Sequence, residues 1–295
     1  MRLTALLTFV CLTCSLGVQS ALADDPHGYL ALGDSLAFGF NPLVSPPNLS
    51  DYHGYPEFIA QALSLDHKLA NASCFGETSS HFIKRSLLPD LGCEAWRNSN
   101  LPMFVSYSAS QLDYAVQYLR DHPKAQLVTI DIGINDLVVL ALSCGITPTS
   151  PPTAAEIACA TTGLTTIVIP TYVANLEAIY SGIRATQYQG PIVAVTGYSP
   201  NYADPIQTPA IATLNYFLSI ETLKFGGKIA DAFTAFAVAA GPSGNVCQTG
   251  LLIKLPDGTC DTHPSAAGQA LIAKLVLGQI ASEDGKSDQE KFNKP

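Results

Sequence analysis

Five strand-length apolar runs, each bounded by turn residues, punctuate the chain: YLAL before Gly33, HKLANAS before Cys74, AQLVTIDIGI before Asn135, GPIVAVTGY before Ser199 and KIADAF after Gly227. Between them lie the helix-like segments YPEFIAQALSL, SASQLDYAVQYLRDH, VANLEAIYSGIRATQY and TPAIATLNYFLSIETLKF. The last is predicted to open with Thr208 as N-cap and Pro209 at the first helical position. Strands that alternate with helices pair in parallel, because a parallel connection needs a crossover, and the crossovers cover both faces of the sheet. Residues 24–281 therefore read as a single doubly wound α/β domain.

Three stretches break the rhythm, 41–53, 87–102 and 142–166, and in the last of them Thr153 and Glu156 form a capping-box pattern. The tail 282–295 is polar and charged and is predicted to be disordered. Residues 1–23 combine Arg2, an apolar core and small residues at Ala21 and Ala23, the pattern of a secretory signal cleaved near Ala23. That apolar stretch is short for a bilayer span, and no further long hydrophobic span is read, so no stable membrane insertion is expected. A net charge of −9 argues against a nucleic-acid footprint and against adhesion to anionic lipid. The expectation is a secreted monomer whose partner is uncharged or cationic, or one whose charge hardly matters.

Of the 8 cysteines, Cys11 and Cys14 leave with the signal segment. The others, Cys74, Cys93, Cys144, Cys159, Cys247 and Cys260, are even in number in an exported chain, which makes disulfides the expected state. Short loops are the easiest to close, favouring Cys74 with Cys93, Cys144 with Cys159, and Cys247 with Cys260. No C-x-x-C or H-x-x-x-H cluster survives cleavage, so no metal is expected.

In an open parallel sheet the ligand sits beyond the carboxyl ends of the strands, where residues following each apolar run converge. Ser35 follows the first run, Gly76 the second, and Asn135 with Asp136 the third. A hydroxyl becomes a useful nucleophile only beside a base. Among 6 histidines, His263 in CDTHPSAAG stands apart, two residues after Asp261 and just before a predicted final helix; His81, near the Gly76 loop, is a weaker candidate. In extended chain, residues two apart point the same way at roughly 6.6 Å, close enough for a carboxylate to orient an imidazole. Acyl transfer also needs donors aimed at a developing oxyanion, which the amides of Ser35 and Gly76 and the side chain of Asn135 would supply. Each signal alone has an ordinary reading as a cap or turn residue.

Together, GDS at Gly33–Ser35, NASCFGETS with Gly76, GIND with Asn135 and DTHPSAAG near the end resemble the SGNH hydrolase family, also called GDSL esterases and lipases, over Tyr29–Ile280. The stretch SQLDYAVQYLRDHPKAQLVTIDIGINDL is similar to the secreted bacterial branch. The resemblance implies a flavodoxin-like three-layer α/β/α sandwich with a parallel sheet of about five strands. It also implies Ser35 as nucleophile, His263 as base, and Ser35, Gly76 and Asn135 as the oxyanion hole of a secreted serine esterase. The substrate would be a small-molecule, lipid or acylated-sugar carboxylic ester, with no cofactor. The alternatives are an acyltransferase using the same site and a non-catalytic carbohydrate- or surface-binding protein on the same fold. One departure stands out: the family spacing is D-x-x-H, whereas here Cys260 occupies the usual aspartate position and Asp261 lies only two before His263. Either Asp261 or a backbone carbonyl would then orient the imidazole. No G-x-S-x-G elbow and no phosphate-cradling G-x-x-x-x-G-K-[ST] loop occurs.

Overall fold

The computed structural model describes residues 28–85, 90–147 and 150–292, with side chains through Ala281. The signal segment read at 1–23 lies outside the described residues. Strands β1 (Tyr29–Gly33), β2 (Leu69–Asn71), β3 (Leu127–Asp131), β4 (Ile192–Val195) and β5 (Lys228–Ala230) form one sheet in the order β2-β1-β3-β4-β5. Every pairing is parallel, with Leu30 opposite both Ala70 and Val128, and Ala194 opposite both Ile130 and Ile229. A separate antiparallel pair, β6 (Leu252–Lys254) and β7 (Cys260–Pro264), lies near the end of the chain.

The helices are α1 (Ser35–Phe38), α2 (Tyr55–Ala62), α3 (Ser79–Ile83), α4 (Cys93–Asn98), α5 (Gln111–Asp121), α6 (Ile134–Ser143), α7 (Ala154–Gly163), α8 (Ile169–Ala185), α9 (Gln207–Lys224), α10 (Ala232–Ala240) and α11 (Ala266–Phe292). They divide between the two faces of the sheet because strand side chains alternate. Leu30, Leu32, Val128 and Ile130 point into a core closed by Leu119 of α5, Leu176 and Ile179 of α8 and Leu214 of α9. Tyr29, Ala31, Leu127 and Val193 point the other way, against Ile59 of α2, Phe236 of α10 and Ile272 of α11. The result is a three-layer α/β/α sandwich.

β1 has β2 on one side and β3 on the other, so the winding direction reverses at β1. At such a switch the loops leaving neighbouring strands diverge and open a crevice at the carboxyl edge. A third, smaller cluster of Phe38, Tyr52 and Trp96, with Phe40, Phe75 and Phe104 packed on it, is built from the segments around α1 and α4 on this side of the molecule.

Five local expectations need correction. The tail expected to be disordered from 282 is helical as far as Phe292, where α11 ends. The KIADAF run is a strand only to Ala230, because Asp231 accepts from Thr234 N at 3.0 Å and caps α10. Thr208 is not an N-cap: α9 has begun by Gln207, Asp204 accepts from Ile206 N and Gln207 N at 2.8 and 2.7 Å, and the Thr208 hydroxyl faces Ser199 and Asn201. The 142–166 excursion is largely helical. Its capping box forms at Thr153 and Glu156, and α7 continues through a π-helical turn at Leu164–Val168 into α8. The resulting 32-residue helix, Ala154–Ala185, is long and apolar enough by length and composition to cross a membrane, which corrects the expectation that no further long apolar span exists. Its threonines and Pro170 had broken the apolar run as read along the sequence.

All three disulfides join sequence neighbours: Cys74–Cys93, Cys144–Cys159 and Cys247–Cys260, with Cα separations of 5.5, 5.7 and 5.6 Å.

Candidate active site

β1 ends at Gly33, whose φ of +147° and contact with Asp131 leave no room for a Cβ. Gln111 of α5 fixes this exit from both sides, accepting from Gly33 N at 2.6 Å and donating to Gly33 O at 3.0 Å. Asp34 caps α1, its Oδ1 accepting from Leu36 N at 2.9 Å. This cap holds Ser35 as the first helical residue, 8% exposed, with its hydroxyl toward β7.

β7 supplies the partner. Asp261 and His263 are two apart on this strand and therefore share a side of it. Asp261 Oδ1 accepts from the His263 backbone amide at 2.8 Å and lies 2.5 Å from Nδ1 of the ring. Nε2 of His263 lies 2.9 Å from Ser35 Oγ, closing a chain of hydrogen bonds across 228 residues of sequence. Partial burial works against a charge on Asp261, but the hydrogen bonds from the His263 ring and amide outweigh it and hold the carboxyl below its ordinary pKa. The Cys247–Cys260 bridge ends on the first residue of β7, and Phe40 packs edge-on against the His263 ring with centroids 4.9 Å apart.

On the other side of Ser35, Gly76 has φ of +72°, and a Cβ there would lie 2.8 Å from Gly92 N. The Cys74–Cys93 bridge ties the same loop to α4. Asn135, in the first turn of α6, donates from Nδ2 to Glu77 O at 2.8 Å and to Asp34 Oδ2 at 3.3 Å. Among the described residues the backbone amides of Ser35 and Gly76 have no protein acceptor. The structure thus brings Ser35, Gly76, Asn135, Asp261 and His263 to one rim.

His81, the weaker histidine candidate, is not part of it. Its side chain is 1% exposed, Nδ1 lies 2.5 Å from Glu77 Oε1 and Nε2 lies 3.4 Å from Glu94 Oε2. Burial works against its charge, but Glu77, with Asp90 and Glu94 nearby, outweighs burial and pushes the imidazole pKa up.

Sequence reading missed the network beneath the rim. Gln111 also donates to Glu77 Oε2 at 3.0 Å, so it links the exit of β1 to the Gly76 loop. Asp131 Oδ1 accepts from Tyr55 Oη at 2.6 Å, and Oδ2 accepts from Asp34 N at 3.3 Å. Burial, followed by the charge of Asp131, pushes the Asp34 carboxyl well above its ordinary range. Asp131 left one trace, a carboxylate inside an otherwise apolar run; Gln111 left none.

Among the described residues, Cys74, Glu77 and Cys93 have metal-ligand spacing, but the two sulfurs are bonded to each other and are not thiolates. Clefts of about 510 Å³ beside Ser243, Gln248 and Leu271, and of about 250 Å³ beside His53, Glu57 and Asp66, are lined by none of the rim residues. Ser35 is 8% exposed, and the His263 side chain beside it is 20% exposed.

Three solved structures share the fold. A phospholipase A1 from Streptomyces albidoflavus is 20% identical, with TM-score 0.55, covering 85% of this chain and 98% of its own. An extracellular lipase from Streptomyces rimosus is 16% identical, with TM-score 0.51, covering 85% and 99%. An acetylxylan esterase from Geobacillus stearothermophilus is 18% identical, with TM-score 0.50, covering 86% and 93%. No curated protein matches the sequence. Residues 31–271, nearly the whole described domain, match the GDSL-like lipase/acylhydrolase family. The chain belongs to that family, whose general chemistry is the hydrolysis of esters.

Proposed function

We propose that the protein is a secreted serine esterase that cleaves carboxylic esters through an acyl-enzyme. The observation that carries this reading is the continuous chain Asp261–His263–Ser35, with separations of 2.5 and 2.9 Å. Ser35 Oγ attacks the carbonyl carbon and passes its proton to His263 Nε2. The imidazolium that forms is stabilised through Nδ1–H by Asp261, so the shortened spacing still supplies an orienting carboxylate. The carbonyl oxygen takes the negative charge and turns toward Ser35 N, Gly76 N and Asn135 Nδ2. Asn135 keeps one N–H on Glu77 O, while the other exchanges its long contact with Asp34 for the oxyanion. His263 protonates the departing alkoxide, and water, deprotonated by the same nitrogen, then releases the acid.

Secretion is supported by the signal pattern at 1–23 and the three disulfides. A panel of chromogenic esters of increasing acyl length, assayed with the wild type and Ser35→Ala, tests the reaction. Hydrolysis by the wild type that vanishes in a folded Ser35→Ala is expected. Equal hydrolysis by both would overturn the assignment.

A further inference from the structure

The three donors that would point at one oxyanion come from three separate segments: Ser35 N from the start of α1, Gly76 N from the loop after β2, and Asn135 Nδ2 from the first turn of α6. The Asp34 cap fixes Ser35 within its own turn, and the Cys74–Cys93 bridge ties the Gly76 loop to α4, yet neither sets the distance between the two segments. A misplacement of about 1 Å at such a site can cost about a hundredfold in rate, so that distance matters to the reaction.

Gln111 lies behind the rim at the point where the segments meet. It is the first residue of α5 and 1% exposed, and the reciprocal bonds of Ser110 and Asp113 fix the helical turn that carries it. Its carboxamide makes three bonds: Oε1 accepts from Gly33 N at 2.6 Å, and Nε2 donates to Gly33 O and to Glu77 Oε2, both at 3.0 Å. Gly33 lies two residues before Ser35. Glu77 follows Gly76, and its backbone carbonyl accepts from Asn135 Nδ2 at 2.8 Å. Cys74 N also donates to Gly33 O, at 3.1 Å. The Gly76 amide is therefore held between two ties to the same carbonyl, one from Cys74 before the turn and one through Gln111 to Glu77 after it. Burial asks for a partner for Gly33 N, but not that the same carboxamide also reach Glu77, whose Oε1 already faces His81.

We infer that Gln111 is a positioning residue of the oxyanion hole, which touches no substrate and sets the separation of Ser35 N from Gly76 N and Asn135 Nδ2. The inference rests on the ester hydrolysis proposed above. Because the hole is filled only as charge develops on the carbonyl oxygen, widening it raises the barrier without weakening the binding of the substrate itself.

The test compares kcat and KM of the folded full chain on whichever ester of the chromogenic panel the wild type cleaves fastest. Gln111→Met, which keeps the length of the side chain and removes its polar groups, should lower kcat about 10- to 100-fold with KM within about twofold. Gln111→Glu keeps the shape and the acceptor for Gly33 N but sets a second carboxyl against Glu77, and it guards against a methionine variant that fails to fold. It should lower kcat by about tenfold or more. In Asn135→Ala the hole is already broken, so adding the Gln111 substitution should cost about threefold less, or better, than it does in the wild type. Wild-type kcat in either folded variant overturns the inference, as does a loss carried by KM alone. A loss that simply multiplies with that of Asn135→Ala overturns it too, leaving Gln111 a structural residue. A wild type inert toward every ester sinks the reaction and this inference with it, whereas an active wild type matched by the variants sinks the inference alone.

Discussion

Two carboxylate–histidine pairs stand within the same half of this molecule, each with a 2.5 Å contact at Nδ1, and they are built for opposite purposes. Asp261–His263 is partly open, with side chains 25% and 20% exposed, and its free nitrogen faces a hydroxyl. Glu77–His81 is sealed, 1% exposed on both sides, and its free nitrogen faces a second carboxylate. A histidine flanked by two carboxylates holds its proton and can only donate; one flanked by a carboxylate and an alcohol can accept. The carboxylate orients the ring in both pairs. The group at the other nitrogen, and the approach of solvent and substrate, decide whether the ring is a base or a brace.

The comparison breaks most readily on kcat. His263→Ala should lower turnover by about 10⁵- to 10⁶-fold in a folded protein, the scale on which removing the base of a serine hydrolase acts. Asp261→Asn should follow at up to about 10⁴-fold, as for an orienting aspartate in serine proteases. Near-normal turnover in Asp261→Asn would instead assign the orienting role to a backbone carbonyl. Asn135→Ala should cost about 10²- to 10³-fold in kcat with KM little changed. A loss confined to KM would make Asn135 a binding residue.

For His81→Ala the expected loss is in stability, on the order of 3–5 kcal/mol by denaturant titration, because a buried Glu77 is left without its ionic partner. The folded fraction should still turn over ester.

The smallest effect sharpens the contrast between open and buried carboxyls. Burial pushes Glu57 from an ordinary 4.5 to about 7, although Gly54 N and Asn71 Nδ2 donate to it. The folded state therefore binds this proton more tightly than the unfolded chain. Its stabilising contribution is full below pH 4.5 and is lost as pH rises through about 7. Unfolding free energy should fall by on the order of 3 kcal/mol across that window from this group, and Glu57→Gln should flatten the dependence. An unchanged slope in the variant would remove Glu57 as its source.

What could be read beforehand follows from the range of each signal. The β1, β3 and β4 runs, their parallel order and the positions of Ser35, Gly76 and Asn135 are local matters of pattern and turn chemistry, and they were legible. So was the placement of Asp261 beside His263, because strand periodicity acts over two residues. The network of Gln111, Glu77, Asp131 and Tyr55 was not, because its bonds join residues 34 to 78 apart through side chains that look ordinary on their own helices and strands. The helical nature of 142–166 was hidden for a different reason: Thr, Pro and Gly read as loop residues, yet here the threonine hydroxyls fold back onto helix carbonyls.

The central claim is that only one of the two histidines activates Ser35. Labelling with an organophosphonate, followed by peptide mass spectrometry, tests it directly on the wild type, His263→Ala and His81→Ala at equal folded concentration. The account predicts fast labelling of Ser35 in the wild type and in His81→Ala, and none above background in His263→Ala. Undiminished labelling in His263→Ala, or a label on a residue other than Ser35, would contradict it.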